Sequence, residues 1–305
     1  MYHFIVNPNS RSGYGGQIWK IVEEELNRRE IDYNVYFTNH RYHATEIARS
    51  LTFDINKQCI IVVLGGDGTI NEVINGIINY NNVILGYIPS GSSNDMARGL
   101  KLPTDPLKAL ENILNPKHYA TMDLGLATFG KNKRTFAVSS GIGYDAAVCL
   151  EALDSPLKTK LNKIKLGKLT YLAIALKQLI QMKPVPATLV LDDVNKIKFD
   201  KIYFMAALNL PYEGGGFKFC PKAKTNDGLI DLIVVDSIPK LKVLFLLPLA
   251  FKGIHTHFKG INIYQAQKAE ITIKQRLAVH TDGESGFMQQ KLYVECSPNK
   301  LKIIA

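Results

Sequence analysis

Cys59-Ile-Ile-Val-Val-Leu64, followed at once by Gly65-Gly66-Asp67-Gly68-Thr69-Ile70-Asn71-Glu72, is the stretch that decides the fold. A run that is apolar throughout fits a strand covered on both faces, as central strands of parallel sheets are. The glycines end the strand, and the spacing of apolar residues over 70–78 predicts a helix. Upstream lie a short strand at 4–6, a Gly/Ser turn, a charged helix over 17–30, a strand at 33–37 and a short helix over 44–51. Downstream, residues 83–88 predict another strand. Strands alternating with helices imply a parallel sheet with helices on both faces. Such sheets bind ligands outside the carboxyl ends of their strands, where the glycine turns fall.

The turn has a chemistry of its own. Glycines let backbone approach an anion closely, and the following helix offers N–H groups and a favourable dipole. Thr69 can donate its hydroxyl to a phosphate. Asp67 repels phosphate, so its expected work is to hold Mg²⁺ through water. Neither a GxxxxGK[ST] loop nor a GxGxxG turn is present. A second copy of the logic follows the next strand, in Pro89-Ser90-Gly91-Ser92-Ser93-Asn94-Asp95-Met96-Ala97-Arg98. Ser92 and Ser93 supply hydroxyls, Asn94 an amide and Asp95 a carboxylate; simple helix capping is the alternative reading of Asn94-Asp95.

The chain has 305 residues, 46% of them hydrophobic and 21% charged, which excludes a disordered or fibrous protein. At roughly 150 residues per domain, two domains are expected. A net charge of +10 favours an anionic partner: nucleic acid, an acidic membrane or a phosphorylated substrate. No nucleic-acid motif accompanies it, so no nucleic acid is expected. Cys59, Cys149, Cys220 and Cys296 form no CxxC pair, which speaks against a zinc site or a disulfide scaffold. The opening residues lack a basic n-region and the longest apolar run, 243–251, is broken by Pro248. The expectation is a cytoplasmic protein with reduced thiols and no transmembrane segment.

Beyond about residue 121 the pattern changes to short strands at 136–139, 187–191, 203–208, 229–235, 270–273, 292–296 and 301–304. That predicts a second domain rich in antiparallel strands, interrupted by one long helical pattern over 157–182. Between 155 and 191 lie seven lysines and no acid, at 158, 160, 163, 165, 168, 177 and 183. Leu157, Leu161, Ile164 and Leu172 intersperse them, so the segment reads either as a membrane-surface helix or as a solvated one. The 243–251 run, flanked by Lys242 and Lys252, reads as an interfacial element, a lipid-tunnel wall or, preferably, a core helix.

Together, residues 65–72 and 91–98 resemble the catalytic domain of the diacylglycerol kinase and sphingosine kinase superfamily, particularly its bacterial soluble lipid kinases. Asn7-Pro8 with Ser10, Gly13 and Gly15-Gly16 resembles the family's first nucleotide-contacting turn, and Thr38 matches a further nucleotide contact. Pro221 to Asp231 resembles its Asp-Gly metal segment, and His280-Thr281-Asp282-Gly283-Glu284 its catalytic loop. Five motifs in family order span nearly the whole chain.

The resemblance implies ATP-dependent phosphorylation of a lipid hydroxyl, such as that of diacylglycerol, in phospholipid metabolism. It implies an α/β domain over 1–120, completed by 300–305, a β-sandwich-like domain over 121–299 in the manner of NAD kinase, and ATP in the cleft between them. Asn7, Ser10, Thr38, Gly65, Gly66, Asp67, Gly68, Thr69, Asn71, Glu72, Gly91, Ser92, Ser93, Asn94 and Asp95 are then the candidate nucleotide contacts. Asp67 and Asp95 are candidates for the catalytic Mg²⁺ network. A structural Mg²⁺ is implied near Asp227, with carbonyls from Lys224 and Leu229. Asn226 stands where the family commonly has Asp, leaving less charge there.

The general base is expected from the Asp282-Gly283-Glu284 turn, Glu284 being preferred and Asp282 supporting it. Peripheral membrane contact and a homodimer are also implied. The rivals are an NAD kinase, which shares the Gly-Gly-Asp-Gly-Thr string, and a non-catalytic ATP-binding regulator.

Overall fold

The computed structural model describes residues 1–53, 58–154 and 167–305, and groups them into two compact units, Met1–Leu124 with Pro298–Ala305, and Gly125–Ser297. In the first unit β1 (Tyr2–Val6) pairs in parallel with β2 (Tyr33–Phe37) and with β3 (Cys59–Gly65), and β3 with β4 (Val83–Pro89). The end of β13 (Glu284–Ile304) returns to lie parallel beside β4, with Lys302 opposite Ile84. Alternate side chains leave opposite faces of a strand. Phe4, Val6, Val62, Leu64 and Ile88 meet α1 (Ser10–Arg28) and α5 (Pro106–Leu114) through Ile18, Trp19, Leu26 and Leu110. Ile5, Ile61, Val63 and Leu85 on the other face are fully buried too, so the unbroken apolar run at 59–64 has its reason. The remaining helices are α2 (His43–Thr52), α3 (Asp67–Gly76) and the short α4 (Asp95–Gly99).

The second unit is antiparallel. β5 (Tyr119–Phe129) pairs with β6 (Asn132–Phe136), while β7 (Ser139–Gly143) lies between β9 (Asn195–Leu208) and β12 (Lys268–Thr281). β8 (Val185–Leu191) also bridges β9 and β12, and β10 (Ile230–Asp236) lies between β9 and β11 (Ile261–Ala266). Its helices are α6 (Tyr144–Asp154), α7 (Gly167–Gln181) and α8 (Lys240–Lys252). One face of β9 sends Ile202, Met205 and Ala207 into the inter-sheet core; the other packs Tyr203, Ala206 and Leu208 in the cluster that holds Leu179, Val243 and Leu246.

Three expectations are corrected. Residues 136–139 are not one strand: β6 stops at Phe136, because the next three amides turn to the Asp282 carboxylate. Residues 292–296 and 301–304 belong to a single strand, β13, which stays extended through Pro298 as it leaves β12 at Glu295 and joins β4 at Lys302. The 243–251 run is only half a core helix. α8 buries Val243, Leu246 and Ala250 but exposes Leu241, Phe245 and Phe251. Lys158, Lys160, Lys163 and Lys165 of the basic stretch lie outside the described residues.

Candidate active site

The two glycine turns meet. A Cβ built on Gly91 would lie 2.6 Å from the Cα of Gly66, and one on Gly65 would lie 2.5 Å from the Cβ of Thr69. Only glycine permits this approach, which seats the first turn of α3 against the second corner. The opening amides of a helix have no partner within it, so α3 offers donors and a positive dipole end at this point. At the second corner Asn94, itself left-handed (φ 51°), accepts the Gly91 N–H at 2.9 Å and donates to the Gly91 carbonyl at 3.1 Å. Asn94 therefore closes the turn and makes no side-chain cap to the helix.

The cap of α4 comes from the first corner instead. The Asp67 carboxylate accepts the Asp95 N–H at 3.1 Å and the Met96 N–H at 3.2 Å. Two amides of α4 are thereby committed, and the second corner offers the hydroxyls of exposed Ser92 and half-buried Ser93 as donors for phosphate. Asp95 is buried and receives Arg98 Nη1 at 2.6 Å. A carboxylate oxygen has two lone pairs, so capping and water-mediated contact with Mg²⁺ are compatible at Asp67.

Around these corners the ends of β1, β3 and β4 are stitched together. Asn7 Nδ2 donates to Thr69 Oγ1 at 3.1 Å, and the hydroxyls of Ser10 and Ser90 lie 2.6 Å apart in a buried contact. Ser10 is thus tied to β4. Arg11, Ser12 and Gly13 all have positive φ (47°, 57° and 93°), so the regular part of α1 begins after them.

Asn7, Thr38, Thr69 and Glu72 line one cavity of about 250 Å³, together with Asn9, Asn39, His40 and Arg41. The last four were missed by sequence reasoning; residues 39–41 directly follow a parallel strand, which is the available signal. Glu72 has a structural task as well. Its carboxylate oxygens accept the Tyr42 N–H at 2.9 Å and the Ala44 N–H at 3.2 Å, so it caps α2 and shapes the cavity wall. Asn71 is fully buried, and its carbonyl accepts Asn75 Nδ2 at 2.7 Å.

In the second unit the acidic turn places its two carboxylates in different surroundings. Asp282 (φ 49°) accepts the N–H groups of Ala137, Val138 and Ser139 at 2.8, 2.9 and 2.9 Å. Both its oxygens are engaged, so it anchors the turn, while Glu284 is half-buried across the turn from Thr281.

At the Asp-Gly segment Asp227 is exposed, with one oxygen accepting the Leu229 N–H at 3.1 Å. Nearby Asp231 is buried, its Oδ2 has no hydrogen-bond partner, and burial, aided by the Asp227 charge, pushes its carboxyl up to about 6. Crowded, undercompensated carboxylates of this kind fit a divalent cation, which Asp227 and the carbonyls of Lys224 and Leu229 would hold.

Comparison with known proteins agrees in both units. Residues 1–127 match the diacylglycerol kinase catalytic domain, and residues 138–305 match the YegS C-terminal NAD kinase beta sandwich-like domain. YtlR of Bacillus subtilis (strain 168), named as a candidate lipid kinase, is 30% identical over 307 residues, 99% of each chain. A diacylglycerol kinase of Staphylococcus saprophyticus subsp. saprophyticus is 30% identical over 308 residues, 98% of this chain and 95% of its own.

A crystal structure of a candidate diacylglycerol kinase from Bacillus anthracis str. Sterne superposes with a TM-score of 0.77 at 23% identity, covering 99% of this chain and 94% of that one. An NAD kinase from Archaeoglobus fulgidus in complex with ATP gives 0.55 at 15% identity, over 100% and 94%. At these identities the two structures show the fold alone, an α/β unit plus a β-sandwich-like unit. With family matches in both halves and full-length relatives at 30% identity, the chain belongs to the diacylglycerol kinase family.

Proposed function

We propose that this kinase transfers the γ-phosphate of ATP to the hydroxyl of a membrane lipid, diacylglycerol being the first to test. The observation that carries the reading is the contact of Gly66 with Gly91, which sets α3's open first turn beside the Ser92 and Ser93 hydroxyls. Phosphoryl transfer needs positioning, charge neutralisation and a proton acceptor more than covalent chemistry. The corners supply N–H and hydroxyl donors for phosphate oxygens. The cavity lined by Asn7, Thr38 and Thr69 offers polar contacts to the rest of the nucleotide. Mg²⁺, when bound, neutralises phosphate charge; Asp67 and Asp95 would take part through water. Glu284 takes the proton of the attacking hydroxyl, while Asp282 holds the turn.

The experiment is incubation with γ-labelled ATP, Mg²⁺, diacylglycerol-containing vesicles and NAD, followed by phase extraction. Label in the organic phase is the expected result; label recovered in NADP would overturn the reading.

Access to a lipid is part of the proposal. No helix among the described residues is long and apolar enough to cross a membrane. α8, however, presents Leu241 (72% exposed) and Phe245 (76%) one helical turn apart, and Ile180 (74%) belongs to the end of α7 whose carbonyl receives Lys240 Nζ at 2.6 Å. No acidic residue occurs over 237–269, while Lys240, Lys242, Lys252 and Lys259 do. An apolar stripe rimmed by lysines suits the surface of an anionic bilayer.

Phe245→Glu is expected to weaken co-sedimentation with phosphatidylglycerol vesicles about tenfold or more, since it removes an exposed aromatic that the bilayer would bury and adds a repelled charge. The same binding should fall with added salt. Sedimentation indifferent to lipid charge, salt and Phe245 would contradict it.

A further inference from the structure

Beneath the acidic turn lies a cluster that the reaction as described does not use. His280, on β12, is buried, with Nε2 3.0 Å from Asp145 Oδ2 of α6 and 3.2 Å from Glu213 Oε1. Asp145 and Glu213 are also at least nine-tenths buried, and Asp145 Oδ1 and Glu213 Oε2 have no hydrogen-bond partner. Two buried carboxylates beside a single imidazole are costly unless they do something. Gly141 makes the room: a Cβ there would fall 2.1 Å from Asp145 Oδ2 and 2.9 Å from His280 Nε2.

The other face of the imidazole decides between a metal and a strut. All three ligand atoms lie within 4.8 Å of one another, close enough for a cation. Yet the Gly283 N–H points at His280 Nδ1, at 3.3 Å. Nδ1 is therefore the acceptor, the ring hydrogen sits on Nε2, and no imidazole lone pair faces the carboxylates. Burial raises the pKa of Glu213, so the further proton of the cluster stays with the carboxylates, and the ring remains neutral with Nδ1 able to accept. The proton the cluster retains is thus held on the Nε2 side, among the three groups.

We propose that His280 is a positioning residue: clamped through Nε2 by Asp145 and Glu213, it accepts the Gly283 N–H on Nδ1 and fixes the backbone from which Glu284 projects. The turn is then pinned from two sides, by Asp282 on the amides of 137–139 and by His280 on Gly283. Asp282 has positive φ, 49°, as does Gly283, 81°, and a non-glycine residue in that region persists only when its surroundings hold it there. The role rests on Glu284 being the base.

Two substitutions separate the faces of the ring. Asn places its oxygen near the position of Nδ1, and Gln places its amide near that of Nε2. His280→Gln keeps the carboxylate clamp and loses the acceptor for Gly283. Amide exchange over residues 281–286 should then quicken about tenfold or more, with kcat on diacylglycerol vesicles falling about 10–30-fold and the KM for ATP unchanged within about twofold. His280→Asn keeps the acceptor, and its turn should exchange within about threefold of the parent.

Equal exchange in the parent and the Gln variant, or stoichiometric zinc or manganese in the parent that the Gln variant loses, would overturn the proposal. Exchange reads the turn without turnover. A quickened turn in an enzyme whose Glu284→Gln variant remains active would remove Glu284 as base and leave the strut standing.

Discussion

Replacing Glu284 with Gln is expected to lower turnover about 10²- to 10⁴-fold while ATP affinity stays within about twofold. The amide keeps the shape of the side chain and removes its capacity to take a proton, so the loss should fall in kcat. Asp282→Asn should behave differently. The Asp282 carboxylate accepts three backbone N–H groups, and an amide presents one oxygen and one NH₂ to the same donors. At least one amide is left facing a donor, which should cost about 2–4 kcal/mol of stability, read by urea or thermal unfolding. Turnover would fall with it, through a loosened turn. If Asp282→Asn were fully stable but inactive and Glu284→Gln remained active, the two roles would have to be exchanged.

Gly91→Ala is expected to separate the two corners. The new methyl would sit 2.6 Å from Gly66 Cα and 2.8 Å from Asn94 Oδ1, both below any real carbon contact. Gly66 is backbone and cannot give way as a flexible side chain can. Asn94 is also the residue that closes the turn, so displacing it undoes two hydrogen bonds. Overpacking of this kind costs about 1–3 kcal/mol. Because the shift falls where phosphates are to be held, affinity for Mg²⁺–ATP by titration calorimetry should drop about 10- to 100-fold. Affinity within twofold of the parent, with an unchanged melting temperature, would show that the corners do not grip the nucleotide together.

The order of elements in the first unit was legible because its signals are local. The run 59–64 is apolar without alternation since both faces of β3 are covered, and the glycines of 65–68 and 91 mark where backbone meets backbone. The partners of the polar side chains were not legible. Glu72 follows the glycine string as a binding residue would, yet it caps α2, and Asp67 caps α4; nothing in sequence spacing says which helix end lies near a carboxylate in space. The break at 137–139 was hidden for the same reason, since its hydrogen-bond acceptor, Asp282, is 143 to 145 positions away. His280 and Asp145 are 135 positions apart. In α8 the difficulty is different: a helix apolar all round carries no pattern that distinguishes its buried Val243 and Leu246 from its exposed Leu241 and Phe245.

The most direct test of the central claim is amide hydrogen exchange of the whole chain with and without Mg²⁺–ATP. The expected result is protection concentrated in residues 7–16, 38–41, 65–72 and 90–98, the segments that converge at the ends of β1 to β4. Saturating nucleotide that leaves those four segments exchanging as before, and protects others, would contradict it.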